Sequence, residues 1–172
     1  MERVVAVIGG WPGVFMNGDG AITGFWGLAI EPVSTHHFIV DGKTLYAWCA
    51  WDTLFMPAHI GKTCEVHASC KQTGEPIVLR VSPEGIEYVS PGTVHLSFVL
   101  PEKGAIDKGV VSGFCHFIHF FRDRPAADAW IKGKAGCFVL DLDEANAAAR
   151  RKIAFEFRQL ADMTARGTRY RP

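Results

Sequence analysis

The chain has 172 residues, 48% of them hydrophobic, which predicts a single domain over residues 1–172 with a substantial buried core. Its 18 basic and 18 acidic residues balance, and they form no basic stripe, so we expect no nucleic acid partner. The sequence has neither an apolar run of the ~20 residues that span a bilayer nor a signal-peptide pattern. We therefore expect no membrane partner and a cytoplasmic protein whose five cysteines are reduced.

The N-terminal part of the chain predicts short strands joined by tight turns. Residues 21–30 and 36–40 are rich in apolar and β-branched side chains, which favours strands. "NGDG" at residues 17–20 is typical of a hairpin turn, and "DGKT" at residues 41–44 predicts a second turn.

Residues 46–56, "YAWCAWDTLFM", predict a short helix that Pro57 ends. Side chains three residues apart on a helix share a face, so Cys49 and Asp52 would point into one pocket. An aspartate in such an apolar segment is costly to bury without a partner. Asp52 either acts together with Cys49 or satisfies a local hydrogen bond, as a turn cap or with a hydroxyl such as that of Thr53.

Alternation of apolar and polar residues predicts strands through the middle of the chain. Residues 64–70 alternate, residues 76–82 and 85–90 look like hairpin partners, and residues 93–100 form the clearest strand. Residues 113–121, "GFCHFIHFF", alternate with two apolar faces and predict a buried strand that carries Cys115.

The C-terminal part predicts a helix with Pro125 at its first position, a strand over residues 137–142 and a final helix capped by Asp143. One face of the final helix is expected to be buried: Ala149, Ile153, Phe157, Leu160 and Ala161. The whole pattern predicts an α+β fold of mostly antiparallel sheets with a few packed helices.

Several constellations could carry chemistry. Taken singly, all five cysteines fit core packing, and Cys64, Cys70 and Cys137 have no polar partner in sequence. A zinc site could use Cys64, His67 and Cys70, or His116 and His119. However, the sequence has no C-x-x-C pair, and residues three apart on a strand face opposite ways.

A cysteine hydrolase is a second alternative, with Cys49 as nucleophile and His116 or His119 as base. The sequence offers no recognisable oxyanion hole for it. The remaining histidines, His36, His37, His59, His67 and His95, fit surface or hydrogen-bonded core positions better than ligand positions.

Three blocks together resemble the alkylmercury lyases, the organomercurial lyases of bacterial mercury resistance: "LYAWCAWDTLFMPAHIGKT", "SPEGIEYVSPGTVHLSFVLP" and "GFCHFIHFF". The resemblance runs from about Gly9 to the C-terminal helix and implies the core fold of that family. By motif match it implies that Cys49, Cys115 and Asp52 are catalytic and contact the mercury, and that Cys70 is structural.

The resemblance implies protonolysis of the carbon–mercury bond of alkyl- and arylmercury compounds, giving a hydrocarbon and Hg²⁺ in mercury detoxification. Mercury is a soft metal that prefers thiolates, and an apolar site raises the pKa of a carboxyl group that carries protons. Trp48, Trp51 and Phe114 are expected to form walls for the organic group. No cofactor is implied, because mercury is substrate and product. Low-molecular-weight thiols and mercuric reductase are the implied partners.

The chain departs from the family pattern at several points. The helical region that usually precedes the "GWPGVF" block is largely absent from this sequence. His116 follows Cys115 where a second cysteine is common, Trp51 replaces a smaller aliphatic residue, and Cys64 is an added thiol. These departures leave an alternative function open, a non-catalytic mercury- or organometal-binding sensor or carrier of the same fold.

Overall fold

The computed structural model describes residues 7–11, 13–100 and 110–165. Eight strands form one antiparallel sheet in the order β1-β2-β3-β5-β4-β6-β7-β8. Their bounds are β1 Val14–Met16, β2 Ile22–Phe25, β3 Leu28–Ala29, β4 His37–Val40, β5 Lys43–Ala47, β6 Cys64–Ser69, β7 Pro76–Ser82 and β8 Gly85–Ser90.

A second antiparallel sheet has three strands in the order β10-β9-β11. The strands are β9 His95–Val99, β10 Phe120–Phe121 and β11 Cys137–Asp141, and the helices are α1 Asp52–Ile60, α2 Val110–Gly113, α3 Arg124–Ile131 and α4 Leu142–Ala165. The predicted α+β fold of mostly antiparallel sheets is confirmed.

The core lies between the large sheet and α1, which packs against α4. Strand β6 illustrates how the sequence selects the core residues. Cys64 and Val66 are buried, while Glu65 and His67 are exposed, as the two-residue period of a strand requires. The first six residues of α1 are all buried. The helix that begins at Asp52 is therefore embedded in the core rather than lying on it.

The predicted helix over residues 46–56 is wrong in its bounds. Tyr46 and Ala47 belong to β5 and pair with β3, so strand pairing overrides the local preference. The helix begins at Asp52 and continues through Pro57 to a left-handed cap at Gly61. Cys49 consequently precedes the helix and does not share a helix face with Asp52, contrary to the prediction.

The predicted strand over residues 113–121 is also wrong for most of its length. Only Phe120–Phe121 is a strand, and Cys115–Phe117 forms a 3₁₀ turn after α2. Ser97 of β9 holds this turn in place: its hydroxyl donates to the Phe117 carbonyl over 2.7 Å and accepts from the His119 amide over 3.1 Å. Ladder bonds of a regular strand are thus replaced by bonds to one buried serine.

The strand predicted over residues 21–30 is interrupted. Trp26 and Gly27 have positive φ angles of 44° and 107°, and they turn the chain between β2 and β3. The "NGDG" turn between β1 and β2 is confirmed, because the Asn17 side chain accepts from the amides of Asp19 and Ala21.

Helix α4 differs from the prediction at its start and on its outer half. Asp141, not Asp143, accepts from the Glu144 amide over 2.7 Å, and the Glu144 carboxylate accepts from the Asp141 amide over 3.0 Å. This reciprocal pair is a capping box. Of the expected face, Ala149 and Ile153 are buried, whereas Phe157, Leu160 and Ala161 are exposed.

In helix α3 the cap is Asp123, which accepts from the Ala126 amide, and Pro125 follows Arg124 in the first turn rather than opening the helix. None of the helices in the described ranges is long and apolar enough to cross a membrane.

His36 is a buried histidine that the sequence placed at the surface or in a hydrogen-bonded core position. It is 3% exposed, and its Nδ1 has no hydrogen-bond partner among the described residues. Its ring lies 5.8 Å from that of Phe120 and 6.2 Å from that of His119. Burial, and then the charges of His119, Lys71 and His37, lower the pKa of His36 from 6.5 to about 3.

We expect this histidine to make the fold acid-sensitive. Between about pH 6.5 and about pH 3, His36 binds a proton in the unfolded chain but not in the folded chain. The free energy of unfolding is therefore not reduced by this histidine above this range, and it falls as the pH decreases through the range. His36→Phe keeps a ring in the core but cannot titrate. Its urea midpoint should fall less between about pH 7.5 and about pH 5 than that of the wild type.

His67→Phe is the matched control, because His67 is an exposed histidine on β6. It should retain the wild-type acid dependence. Equal pH dependence of His36→Phe and the wild type would show that His36 titrates normally.

Candidate functional site

Asp52 and Cys49 are joined by the turn that leads from β5 into α1. The Cys49 amide donates to Asp52 Oδ2 over 2.8 Å in a buried position, and the Thr53 hydroxyl donates to the Ala50 carbonyl over 2.7 Å. Asp52 therefore does cap a turn, as one sequence reading proposed. The same bond also fixes its carboxylate beside Cys49.

The segment that carries Cys115 docks directly on this turn. The Ala50 amide donates to the Ile118 carbonyl over 3.2 Å, which ties the residue after Cys49 to the end of the 3₁₀ turn. Two parts of the chain that are distant in sequence are thereby held side by side.

Cys49, Asp52 and Cys115 converge. One ligand atom from each, two sulfurs and a carboxylate oxygen, lie within 4.8 Å of one another. Their exposed fractions are 0%, 6% and 4%. In the described ranges, this is the one group of three or more His, Cys, Asp or Glu side chains that could share a metal ion.

Burial controls the protonation of this cluster. It raises the pKa of Asp52 to about 7, against the opposing effects of the hydrogen bonds from Cys49 and of the Lys152 charge. It also raises the pKa of the Cys49 thiol well above the ordinary value, helped by the hydrogen bond with Cys115 and the negative charge of Asp52. Near neutral pH the Cys49 thiol keeps its proton, and Asp52 exchanges one readily.

Gly27 packs against the other side of the carboxyl group. A Cβ atom at Gly27 would lie 2.9 Å from Asp52 Oδ1 and 3.1 Å from its Cγ, and φ is +107°. The Trp48 amide donates to the Gly27 carbonyl over 2.8 Å. Only glycine fits this conformation and this close approach. Sequence alone does not single out Gly27, because nothing local marks it as a neighbour of Asp52.

A cavity of about 300 Å³ opens onto Asp52 and Cys115. Cys49 is not among its lining residues and lies behind the wall. The three aromatic residues expected from the sequence, Trp48, Trp51 and Phe114, do line it. The sequence did not predict the other lining residues, which are Gly13, Trp26, Gly27, Phe55, Lys152 and Glu156.

Trp51 is a fixed part of this wall. Its Nε1 donates to the Ala145 carbonyl of α4 over 3.2 Å, and its ring packs edge-on against Phe55, Phe98 and Phe114. A neighbouring cavity of about 320 Å³ shares Trp48, but among the described residues that line it Glu31 is the one ionisable side chain. The chemistry-bearing groups therefore face the first cavity.

The alternative constellations do not assemble. His67 is exposed on β6 and pairs with Glu65, whereas Cys64 and Cys70 are buried, so these three do not form a ligand set. His119 Nε2 contacts the His116 carbonyl, and neither histidine lines the cavity. Cys64 and Cys70 are core residues as expected, and Cys137 is half-buried.

Comparison with known proteins connects this arrangement to one family. The alkylmercury lyase profile matches residues 31–153. The chain is 40% identical over 145 residues to alkylmercury lyases of Bacillus cereus and Clostridium butyricum, covering 84% of this chain and 64% of each relative. It thus spans a little under two thirds of the length of these curated relatives.

The fold gives the same result. The solved structure of the mercury-bound form of MerB2 superposes with a TM-score of 0.70 at 26% identity, covering 87% of this chain and 71% of that one. The family profile spans most of the chain, including Cys49, Asp52 and Cys115. The chain belongs to the alkylmercury lyase family.

Proposed function

We propose that this protein is an organomercurial lyase that cleaves carbon–mercury bonds by protonolysis. The observation that carries the proposal is the convergence of two thiols and a carboxyl group with a pKa of about 7, with the carboxyl group and one of the thiols lining an aromatic cavity. Family membership supports the same reaction.

Capture begins at Cys115, because it lies on the cavity wall and Cys49 lies behind it. The Cys115 thiol displaces the ligand X of R–Hg–X, forming S–Hg–R and releasing HX. Mercury bound there is within reach of the Cys49 sulfur. Thiolates are the ligands that a soft metal prefers, so the second sulfur strengthens the hold on mercury and weakens its bond to carbon.

Cleavage requires a proton at carbon. Asp52 accepts the Cys49 proton as that sulfur binds mercury, and delivers it to the carbon atom of R. The electron pair of the carbon–mercury bond becomes the new C–H bond. R–H leaves, and Hg²⁺ remains bound by two thiolates. The ionised Asp52 carboxylate carries the one net charge of the reacting set before and after the reaction, so the step creates no further charge in the buried site.

The cavity suits the organic group and the products. Its aromatic walls contact an alkyl or aryl substituent, and water is poorly placed to compete with Asp52 for the carbon. Release of Hg²⁺ from two protein sulfurs requires external thiols. Mercuric reductase is the proposed consumer, and a cytoplasmic location with reduced thiols fits this cycle. Mercury is substrate and product, so no cofactor enters the proposal.

The direct test is incubation with phenylmercury and excess thiol, followed by measurement of benzene. The proposal expects benzene and thiol-bound Hg²⁺ in equal amounts. Tight binding of phenylmercury without benzene would instead identify a capture protein.

Asp52→Asn separates capture from cleavage. The amide retains the acceptor oxygen for the Cys49 amide but cannot carry a proton. We expect binding of one Hg²⁺ to persist, while benzene formation falls by at least ~10²-fold. Asp128→Asn is the control, because Asp128 is an exposed partner of Arg124. Cleavage by Asp52→Asn at the rate of this control would remove Asp52 from the mechanism.

Gly27→Ala tests the position of the carboxyl group. The new Cβ overlaps Asp52 Oδ1, so the carboxyl group must shift. A displacement of about 1 Å costs on the order of 10²-fold in rate, while the two sulfurs should still bind Hg²⁺. Gly42→Ala is the matched control, with φ +71° but nothing within 4 Å of the added Cβ. Equal benzene rates in the two variants would contradict a requirement for close packing at Gly27.

Thiol labelling tests the order of capture. In a Cys137→Ser background, which removes the half-buried thiol, a maleimide should modify Cys115 before Cys49, because only Cys115 lines the cavity. Peptide mass mapping at partial labelling reads the order. Modification of Cys49 first would reverse the proposed sequence of mercury binding.

A further inference from the structure

The rim of the cavity carries an ion-pair network that contributes no atom to the protonolysis steps. Lys152 and Glu156 of α4 line the same cavity as Asp52 and Cys115. Lys152 Nζ lies 2.6 Å from Glu156 Oε1 and 4.0 Å from the centre of the Phe55 ring. The side chains of Lys152 and Glu156 are 28% and 30% exposed.

Glu156 has capacity for a further partner. Its Oε2 lies 3.2 Å from His59 Nε2, yet it makes no hydrogen bond with good geometry among the described residues and is shielded from solvent. A donor that enters the cavity could satisfy this oxygen. Lys152, an ammonium with three donors, can likewise bind a second carboxylate while it keeps its contact with Glu156.

The organic part of an alkyl- or arylmercury compound is apolar, so it offers no charged group that Lys152 and Glu156 could bind. Apart from Asp52, Lys152 and Glu156 are the charged side chains among the described residues that line the cavity. They present one cation and one anion side by side at its rim. Such a pair complements a molecule that carries both a carboxylate and an ammonium group.

We propose that Lys152 and Glu156 bind the amino-acid part of the thiol that exchanges mercury with the protein. The ammonium of Lys152 contacts the carboxylate of the thiol compound, and the carboxylate of Glu156 contacts its α-ammonium group. The ligand class is a zwitterionic amino-acid thiol, either free or as the leaving group of R–Hg–SR′. This inference rests on the lyase function proposed above and adds the acceptor to it.

The exchange that this subsite promotes is balanced without an oxidant or reductant. Two thiols R′SH attack the bound mercury, two Hg–S bonds to R′ form, and the two Hg–S bonds to Cys49 and Cys115 break. The protons of the entering thiols return to the two protein sulfurs, with Asp52 beside them as carrier. The product is Hg(SR′)₂, and the protein regains its thiols.

The test uses protein loaded directly with one equivalent of Hg²⁺, so that it does not depend on turnover. Mercury loss is timed with four thiols at equal thiolate concentration: cysteine, 3-mercaptopropionate, cysteamine and 2-mercaptoethanol. These carry both charges, the carboxylate alone, the ammonium alone and neither. For the wild type we expect cysteine to be the fastest, at least ~3-fold ahead of 2-mercaptoethanol, the effect of one partly exposed ion pair.

Each variant should remove a different part of this ranking. Lys152→Met should remove the advantage conferred by the carboxylate, and Glu156→Gln the advantage conferred by the ammonium. Lys152→Arg should keep the carboxylate preference. Lys134→Met is the matched control, because Lys134 also lies over an aromatic ring, that of Trp130, and does not line the cavity. If the ion pair were purely structural, its removal would change the rate of mercury loss by the same factor with all four thiols.

The result that overturns the subsite is the same thiol ranking in wild type, Lys152→Met and Glu156→Gln. Should Lys152→Met fail to fold, Lys152→Gln and Glu156→Gln give the same comparison. Failure of the lyase function is a separate outcome, because it is read as absence of benzene from phenylmercury, whereas thiol selectivity is read from mercury release alone.

Discussion

The hydrogen bond from the Cys49 amide to the Asp52 carboxylate is the contact on which the site depends. It satisfies a buried backbone donor at the start of α1 and holds the carboxyl group next to a thiol. On the other side of the carboxyl group, the backbone of Gly27 packs so closely that a Cβ atom would not fit. Asp52 is thus more than a structural cap: burial raises the pKa of its carboxyl group to about 7, against the effect of this hydrogen bond, and a carboxylate oxygen lies within 4.8 Å of two sulfurs.

Rigidity comes from the core around this turn. The first half of α1 is buried on all sides, and the Ala50 amide binds the Ile118 carbonyl, so the two thiol-bearing segments cannot separate without breaking core contacts. Ser97 supports the Cys115 segment through two further hydrogen bonds. The two thiols therefore lie on a turn and on a 3₁₀ turn rather than on paired strands, and these hydrogen bonds hold the two segments side by side.

The cavity has both apolar and charged lining residues. Tryptophan and phenylalanine side chains line the cavity beside Asp52, and the burial of Asp52 raises the cost of a charge on its carboxylate. Lys152 lies at the rim and acts in the opposite direction on the same pKa. Burial raises the pKa of Asp52, and the hydrogen bonds from Cys49, followed by the Lys152 charge, oppose it, which leaves the pKa at about 7.

The sequence by itself determined the strands with a clear two-residue period, such as β6, the β7–β8 hairpin and β9, because alternation encodes one buried face. The resemblance it carries also supplied the candidate residues Cys49, Asp52 and Cys115. The bounds of α1, the 3₁₀ turn at Cys115 and the exposed outer half of α4 could not be predicted, because β5 pairing and the bonds of Ser97 override local preference. Only the tertiary structure brought Gly27, Lys152 and Glu156 to the site, since each comes from a part of the chain that carries no local sign of its neighbours.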